Sequence, residues 1–336
     1  ADNPAKADNI KGQALTIRAH VHQLLVNVYA QPFAFTADAS HPGVPYIKES
    51  DRFKTVSRNT VAEDYTEMIS DLKSAIALLP VTASSKTVVT ASAAKGLLAR
   101  TYLFRNDYIN AKVVARDVVS VAPLMSRPDY PTKLFANGDT ESLFWLPPTS
   151  TPYSTLYAGA YYAYYFWATT DIANLLRERP GDIRANWVVL VSGNQTIKKF
   201  PVGVIAGFSV PEASYYHSII RSSEMYLTAA ESYSKLGMED SARYYLDFIR
   251  QRADLTAANS TATGSALLDS VYKERRKELC FEGLRMFDLL RTGKPVVRTD
   301  FNSPATSTLS YPNDKAIAPL PLGDVSAYSL KQNPSY

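Results

Sequence analysis

Apolar residues in this chain mostly recur every three or four positions, the period of an α-helix. Residues 58–79 show it most clearly. Val61, Tyr65, Met68, Ile69, Leu72, Ile76 and Leu79 make one stripe, and Pro80 closes it. Thr60, with Glu63 three positions on, predicts a capping box, in which each side chain satisfies a backbone N–H that the helix leaves free. Residues 12–29 predict a second helix, with Ala14, Leu15, Ala19, Leu24, Leu25 and Val28 facing the core. Residues 90–105 and 108–121 predict a helical hairpin turning at Asn106 and Asp107. Residues 222–236 and 239–253 predict another, turning at Gly237. The hairpins match: Ala99, Tyr102 and Ala111 in one correspond to Ala230, Tyr233 and Ala242 in the other. Small Ala residues let antiparallel helices approach, and the Tyr packs across the pair. That spacing is tetratricopeptide-like. The hairpins lie too far apart for a continuous solenoid, so a helical scaffold carrying long insertions describes the chain better.

Residues 267–294 predict one long helix that is unusually rich in charge. Leu268, Val271, Tyr272, Leu279, Phe287 and Leu290 fall at helical spacing, and Gly293 and Pro295 stop it. Glu274, Glu278 and Glu282 are four apart, with Arg275, Arg276, Arg285 and Arg291 in reach. Such pairs add about 0.2–0.5 kcal/mol each to a helix, and spacing alone reads them as a solvated face.

The helical pattern fails over residues 134–211. Residues 141–147 read as a short strand, and so do residues 196–201. Between them Tyr153, Tyr157, Tyr161 and Tyr165 are four apart. On a helix they would form one aromatic ridge; on loops they would form an irregular wall. Pro32, Pro42, Gly43 and Pro45 make residues 31–55 a long loop. The expected fold is mostly α, with tetratricopeptide-like helical hairpins and a loop-rich irregular insertion. The expected organisation is a single domain, residues 1–336. Residues 1–133 and 212–336 would be the helical scaffold, and residues 134–211 the variable region.

Four stretches, in order along nearly the whole chain, resemble the SusD/RagB family. The most specific is residues 273–294, where Arg275, Arg276, Glu278, Leu279, Phe281, Glu282, Gly283, Arg285, Phe287, Asp288, Leu289 and Arg291 fill the family's Arg-rich Glu-Leu-x-Phe-Glu-Gly-x-Arg-x-Phe-Asp-Leu-x-Arg run. Cys280 stands where the family more often has Ala. The others are residues 12–33, where Gln13 replaces the usual Glu, residues 221–237, and residues 318–336. Residues 43–46 also look like the family's Val-Pro strand. In that family the C-terminal run is structural. The resemblance implies a SusD-like fold and a surface protein, held at the outer membrane by a lipid anchor, that captures a nutrient. It implies a SusC-like TonB-dependent transporter as partner and an oligosaccharide or oligopeptide as ligand. It also implies a signal peptide and lipid-bearing Cys upstream of this sequence, along with further residues that related proteins carry there.

Composition adds little against this. The chain has 336 residues, 46% of them hydrophobic, and a net charge of +4, too small and dispersed to point to nucleic acid. One cysteine excludes an internal disulfide, and Cys280 reads as a small buried hydrophobe. Phosphate-loop, Gly-x-Ser-x-Gly and His-Glu-x-x-His signatures are missing, which argues for a binding protein that needs no cofactor and is not an enzyme. His20 and His22 lie two apart and point to different helix faces, which argues against a shared metal. Glu224 and Glu231 fall at helix spacing and read as structural ion-pair partners. Aromatic residues remain as the recognition candidates. A pyranose offers an apolar C–H face that stacks on a ring, burying area at about 25 cal/mol per Å². The candidate ligand-binding residues are Tyr153, Tyr157, Tyr161, Trp167 and Trp187; each could equally pack between scaffold and insertion. Trp145, on the strand-like run, reads as core.

Overall fold

The computed structural model describes residues 3–51, 53–136, 138–146, 167–200, 216–300 and 307–336. Helix α1 spans Pro4–Tyr29, beginning earlier than its apolar pattern suggests. Asn3 caps it by accepting from the Lys6 N–H at 3.0 Å, and Pro4 suits the first turn. Helix α2, Val61–Leu78, starts as its sequence dictates. The Thr60 hydroxyl accepts from the Glu63 N–H at 3.2 Å, and the Glu63 carboxylate accepts from the Thr60 N–H at 2.7 Å.

The face that α1 turns inward differs from the expected one. Gly12, Thr16, Ala19, His22, Gln23 and Val26 are buried, while Leu24 and Val28 are 44% and 38% exposed. Polar residues can occupy the inner face because each finds a partner. Thr16 donates to the Gly12 carbonyl, Gln23 to the Thr101 hydroxyl, and His22 receives the Ile47 N–H. Of the apolar residues expected inside, Ala19 is buried and Leu15 and Leu25 pack against the core, while Ala14, Leu24 and Val28 are exposed.

The two hairpins form as predicted. Helices α3 (Ala91–Phe104) and α4 (Tyr108–Val121) make the first. Ala99, Tyr102 and Ala111 are all buried there, and so are Ala230, Tyr233 and Ala242 in the second. The hairpins pack through α4, and one hydrophobic core runs across α1 to α4 and into the second pair. Strand β1, Ser142–Leu146, stands where the sequence placed it; its Trp145 is half-buried and stacks on Tyr216 with ring centroids 4.5 Å apart. A short helix, α5 (Thr170–Leu176), leads to the hairpin of β2 (Val188–Val191) and β3 (Asn194–Ile197). These elements enclose a second core with Tyr130, Phe135, Trp187 and Cys280. Strand β4, His217–Arg221, pairs antiparallel with β1 and runs straight into α6, Ser222–Lys235. Helix α7, Glu239–Ala253, completes the second hairpin.

The long helix expected over residues 267–294 is two helices, α8 (Gly264–Glu278) and α9 (Arg285–Arg291). The chain leaves helical geometry at Phe281 and Gly283, with φ of 67° and 79°. The break frees carbonyls that a continuous helix would consume. Lys199 Nζ donates to the Glu278 and Cys280 carbonyls at 2.8 and 2.9 Å, and Arg221 Nη2 donates to the Glu278 carbonyl at 2.8 Å. Cys280 is buried as expected, but in this turn, where burial pushes its thiol up to about 11.

Candidate functional site

Four charges of α8, Glu274, Arg275, Lys277 and Glu278, face inward. Glu278 is fully buried, and its carboxylate accepts from Arg221 at 2.9 Å, Arg252 at 2.7 Å, Tyr130 at 2.7 Å and Arg184 at 3.1 Å. Glu282 accepts from Arg221 and Lys199, and Glu141 from Arg221, Arg252 and Ser223. Asp182, at the start of the turn before β2, binds Arg184 and Lys277. Burial opposes ionisation of Glu278, but Arg252, Arg221, Arg184 and Lys199 outweigh it and hold the carboxyl well below its ordinary range. The same balance depresses Glu282 and Asp182. Glu231 is held by Arg291 at 2.6 and 2.8 Å, and Glu224 by Arg100 at 2.8 and 2.5 Å. The pair Glu224 and Glu231 is therefore structural, as its spacing suggested.

On this ionic floor opens a cavity of about 700 Å³. Helix α1 contributes His20 and Leu24, β4 contributes His217 and Ile219, and the turn between α8 and α9 contributes Phe281 and Leu284. Trp167, Ile172, Ile197 and Phe200 form the remaining apolar wall. Burial, with Arg100 and His217 nearby, lowers His20 to about 3, so its ring is neutral at any physiological pH. Its Nδ1 is enclosed and has no hydrogen-bond partner among the described residues. The ion pairs Arg100–Glu224 and Arg221–Glu282 also line the cavity, their charges already committed to each other. A mostly apolar chamber with a few fixed polar groups is built to hold a molecule rather than to move protons.

Of the residues expected to bind ligand, Trp167 lines this cavity and is 51% exposed. Trp187 is only 5% exposed; its ring lies 5.6 Å from Tyr130 and under the Lys199 ammonium at 4.4 Å. It packs in the second core, and does not line the cavity. Tyr153, Tyr157, Tyr161 and Tyr165 lie outside the described residues. Residues 147–166 and 201–215 rejoin the described chain at Trp167, Phe200 and Tyr216, and the first two of these line the cavity. His20, His217 and Phe281 were not singled out from sequence for this role. They come from three separate elements, and the only local signal was the apolar setting of each.

The comparisons with known proteins follow the same geometry. Residues 158–333 match the family model described as the SusD family, and residues 1–103 match a second model described as starch-binding and associating with the outer membrane. The chain belongs to the SusD family. A proposed sugar-binding protein of Bacteroides vulgatus is 30% identical over 100% of this chain and 79% of its own, with a TM-score of 0.88. A SusD superfamily protein of Bacteroides thetaiotaomicron is 28% identical over 99% of this chain and 80% of its own, with a TM-score of 0.87. A laminarin-binding SusD-like protein, 21% identical with a TM-score of 0.74 over 99% of this chain and 80% of its own, shares the fold. No curated protein matches the chain. SusD membership supports a nutrient-binding role. Among the described residues no helix is long and apolar enough to cross a membrane.

Proposed function

We propose that this SusD-family protein captures an oligosaccharide at the cell surface and delivers it to a SusC-like TonB-dependent outer-membrane transporter. A lipid anchor would hold it there, and the mechanism is binding and release without bond chemistry. The observation that carries the reading is the 700 Å³ cavity with Trp167 half exposed on its wall. An indole offers the flat apolar surface that a pyranose C–H face covers. Tyr153, Tyr157 and Tyr161 would extend the aromatic surface from the segment preceding Trp167.

Calorimetric titration with a panel of oligosaccharides and mixed oligopeptides tests the proposal. Saturable heat with one glycan class is expected. Trp167→Ala should weaken it by about 2 kcal/mol, roughly 30-fold, with the melting temperature unchanged. Heat with peptides alone would replace the glycan reading by oligopeptide capture. Undiminished glycan binding by Trp167→Ala would remove this cavity from the account.

A further inference from the structure

Trp167 stands on the cavity wall because of the residues that follow it. Ala168 is buried, and its N–H donates to the Gln195 carbonyl on β3 at 2.8 Å. Thr169 caps α5, its hydroxyl accepting from the Ile172 N–H at 3.4 Å. Asp171 pairs with Arg276 of α8. Trp167, Thr169 and Ile172 all line the cavity, so one short stretch of chain sets the place of each.

That stretch cannot hold itself. Helix α5 has seven residues, too few to be stable alone. The first N–H groups of a helix have no acceptor within it and must find one elsewhere. The Thr170 N–H finds the Asp300 carboxylate, with Oδ2 at 2.5 Å, although Asp300 lies 130 positions further on. Asp300 is itself fixed. Strand β5 (Val296–Val297) pairs with β6 (Thr308–Leu309), and the Arg298 N–H donates to the Ser307 carbonyl at 2.7 Å. The Thr299 hydroxyl donates to Asp300 Oδ1 at 3.2 Å. The Thr170 N–H holds the Asp300 carboxyl below its ordinary range, so the acceptor is charged at neutral pH, and a charged acceptor makes the stronger hydrogen bond. Asp300 is not among the residues that line the cavity, so any effect it has there passes through α5.

We propose that Asp300 is a positioning residue for this cavity: by holding the first turn of α5 it fixes the pose of the Trp167 indole, and through it the affinity for ligand. The last clause rests on the reading of the cavity as the glycan site; the fixing of the indole does not. A ring placed in advance binds more tightly than one that must be ordered as the ligand arrives. Without Asp300 the Thr170 N–H turns to water, the first turn loosens, and Trp167 gains orientations in which it does not stack.

The test labels the full chain with fluorotryptophan, so that its three tryptophans give three fluorine signals. Trp167→Phe identifies the signal of Trp167. In Asp300→Ala that signal should shift or broaden while those of Trp145 and Trp187 stay in place. Calorimetric titration with the glycan that the wild type binds should show affinity lower by about threefold to tenfold, the size expected for one hydrogen bond, at an unchanged melting temperature. Asp300→Asn keeps an acceptor oxygen in the same place and should restore most of both. A Trp167 signal unmoved in Asp300→Ala overturns the proposal. So do three signals that move together, or an Asn variant no better than the Ala one. A wild type that binds no glycan removes the proposed function, and the fluorine signals still decide the positioning. A wild type that binds, with Asp300→Ala binding equally well, overturns the proposal and leaves the glycan reading standing.

Discussion

Asp64 sits beneath the loop that carries Gly43, with Oδ2 accepting from the Val44 N–H at 2.8 Å and Oδ1 without a hydrogen-bond partner among the described residues. A Cβ on residue 43 would fall 2.0 Å from that Oδ2, so the loop closes over the carboxyl only because residue 43 is glycine. Burial raises Asp64 to about 7, against smaller opposition from Val44 and Asn59. A carboxyl raised in the folded state favours folding while it is protonated; the benefit is complete below the ordinary carboxylate range, near 4, and is lost as pH climbs from there through about 7. Asp64→Asn should therefore flatten the change in melting temperature between pH 6 and pH 8; an unchanged slope in thermal melts would show that Asp64 is ionised throughout. The sequence displayed residues 43–46 as a recognisable segment. It could not display why a glycine stands first, because the atom it makes room for is twenty-one positions away.

Elements whose partners lie nearby in sequence were legible. The capping box of α2 and the Ala–Tyr–Ala pattern of the hairpins involve residues three to twelve apart, and both formed as read. Misreadings came where distant groups decide. On α1, Ala19 faces inward as read and Leu15 and Leu25 pack against the core, but Thr16, His22 and Gln23 were missed, since they look like surface residues until their partners are known. The continuity of α8 and α9 was misread because Lys199 and Arg221, remote in the chain, claim the carbonyls at the break. Gly283 has φ of 79°, and a β-carbon added there would meet nothing within 4 Å, so backbone strain alone governs a substitution at this position. Gly283→Ala should cost about 1–2 kcal/mol, read as a lowered denaturation midpoint with an unchanged slope. No loss would mean the turn relaxes to another conformation at little expense.

At the scale of the molecule, Glu278 ties together β4, α7, α8 and the segment around Arg184 through three guanidinium groups. Glu278→Gln leaves those cations under-compensated inside the protein and should cost about 3–5 kcal/mol at pH 7 in denaturant unfolding. The sign with pH follows from its depressed pKa. The stabilisation is complete above the ordinary carboxylate range, near 4.3, and is lost as pH falls from there through the folded-state value. Wild type and variant should thus converge in acid. The cavity was the least legible feature of all. Its wall is assembled from residues as far apart as 20, 167, 217 and 281, and of the two aromatic candidates among the described residues Trp167 lines it and Trp187 does not. Trp187 carried the same compositional signal but serves the second core, because Tyr130 and Lys199 enclose it.

The ionic centre also bears on how the molecule behaves when it breathes. Most proteins that open at their middle show water a greasy surface, and neighbouring copies adhere to it. When α8 lifts away from β4 and α7, the surfaces uncovered along that seam carry Arg221, Arg252 and Glu278 beside the apolar Leu267, Val271 and Leu246. Water solvates such charges strongly. A copy caught ajar at this seam therefore shows its neighbours a surface less greasy than an all-apolar core would.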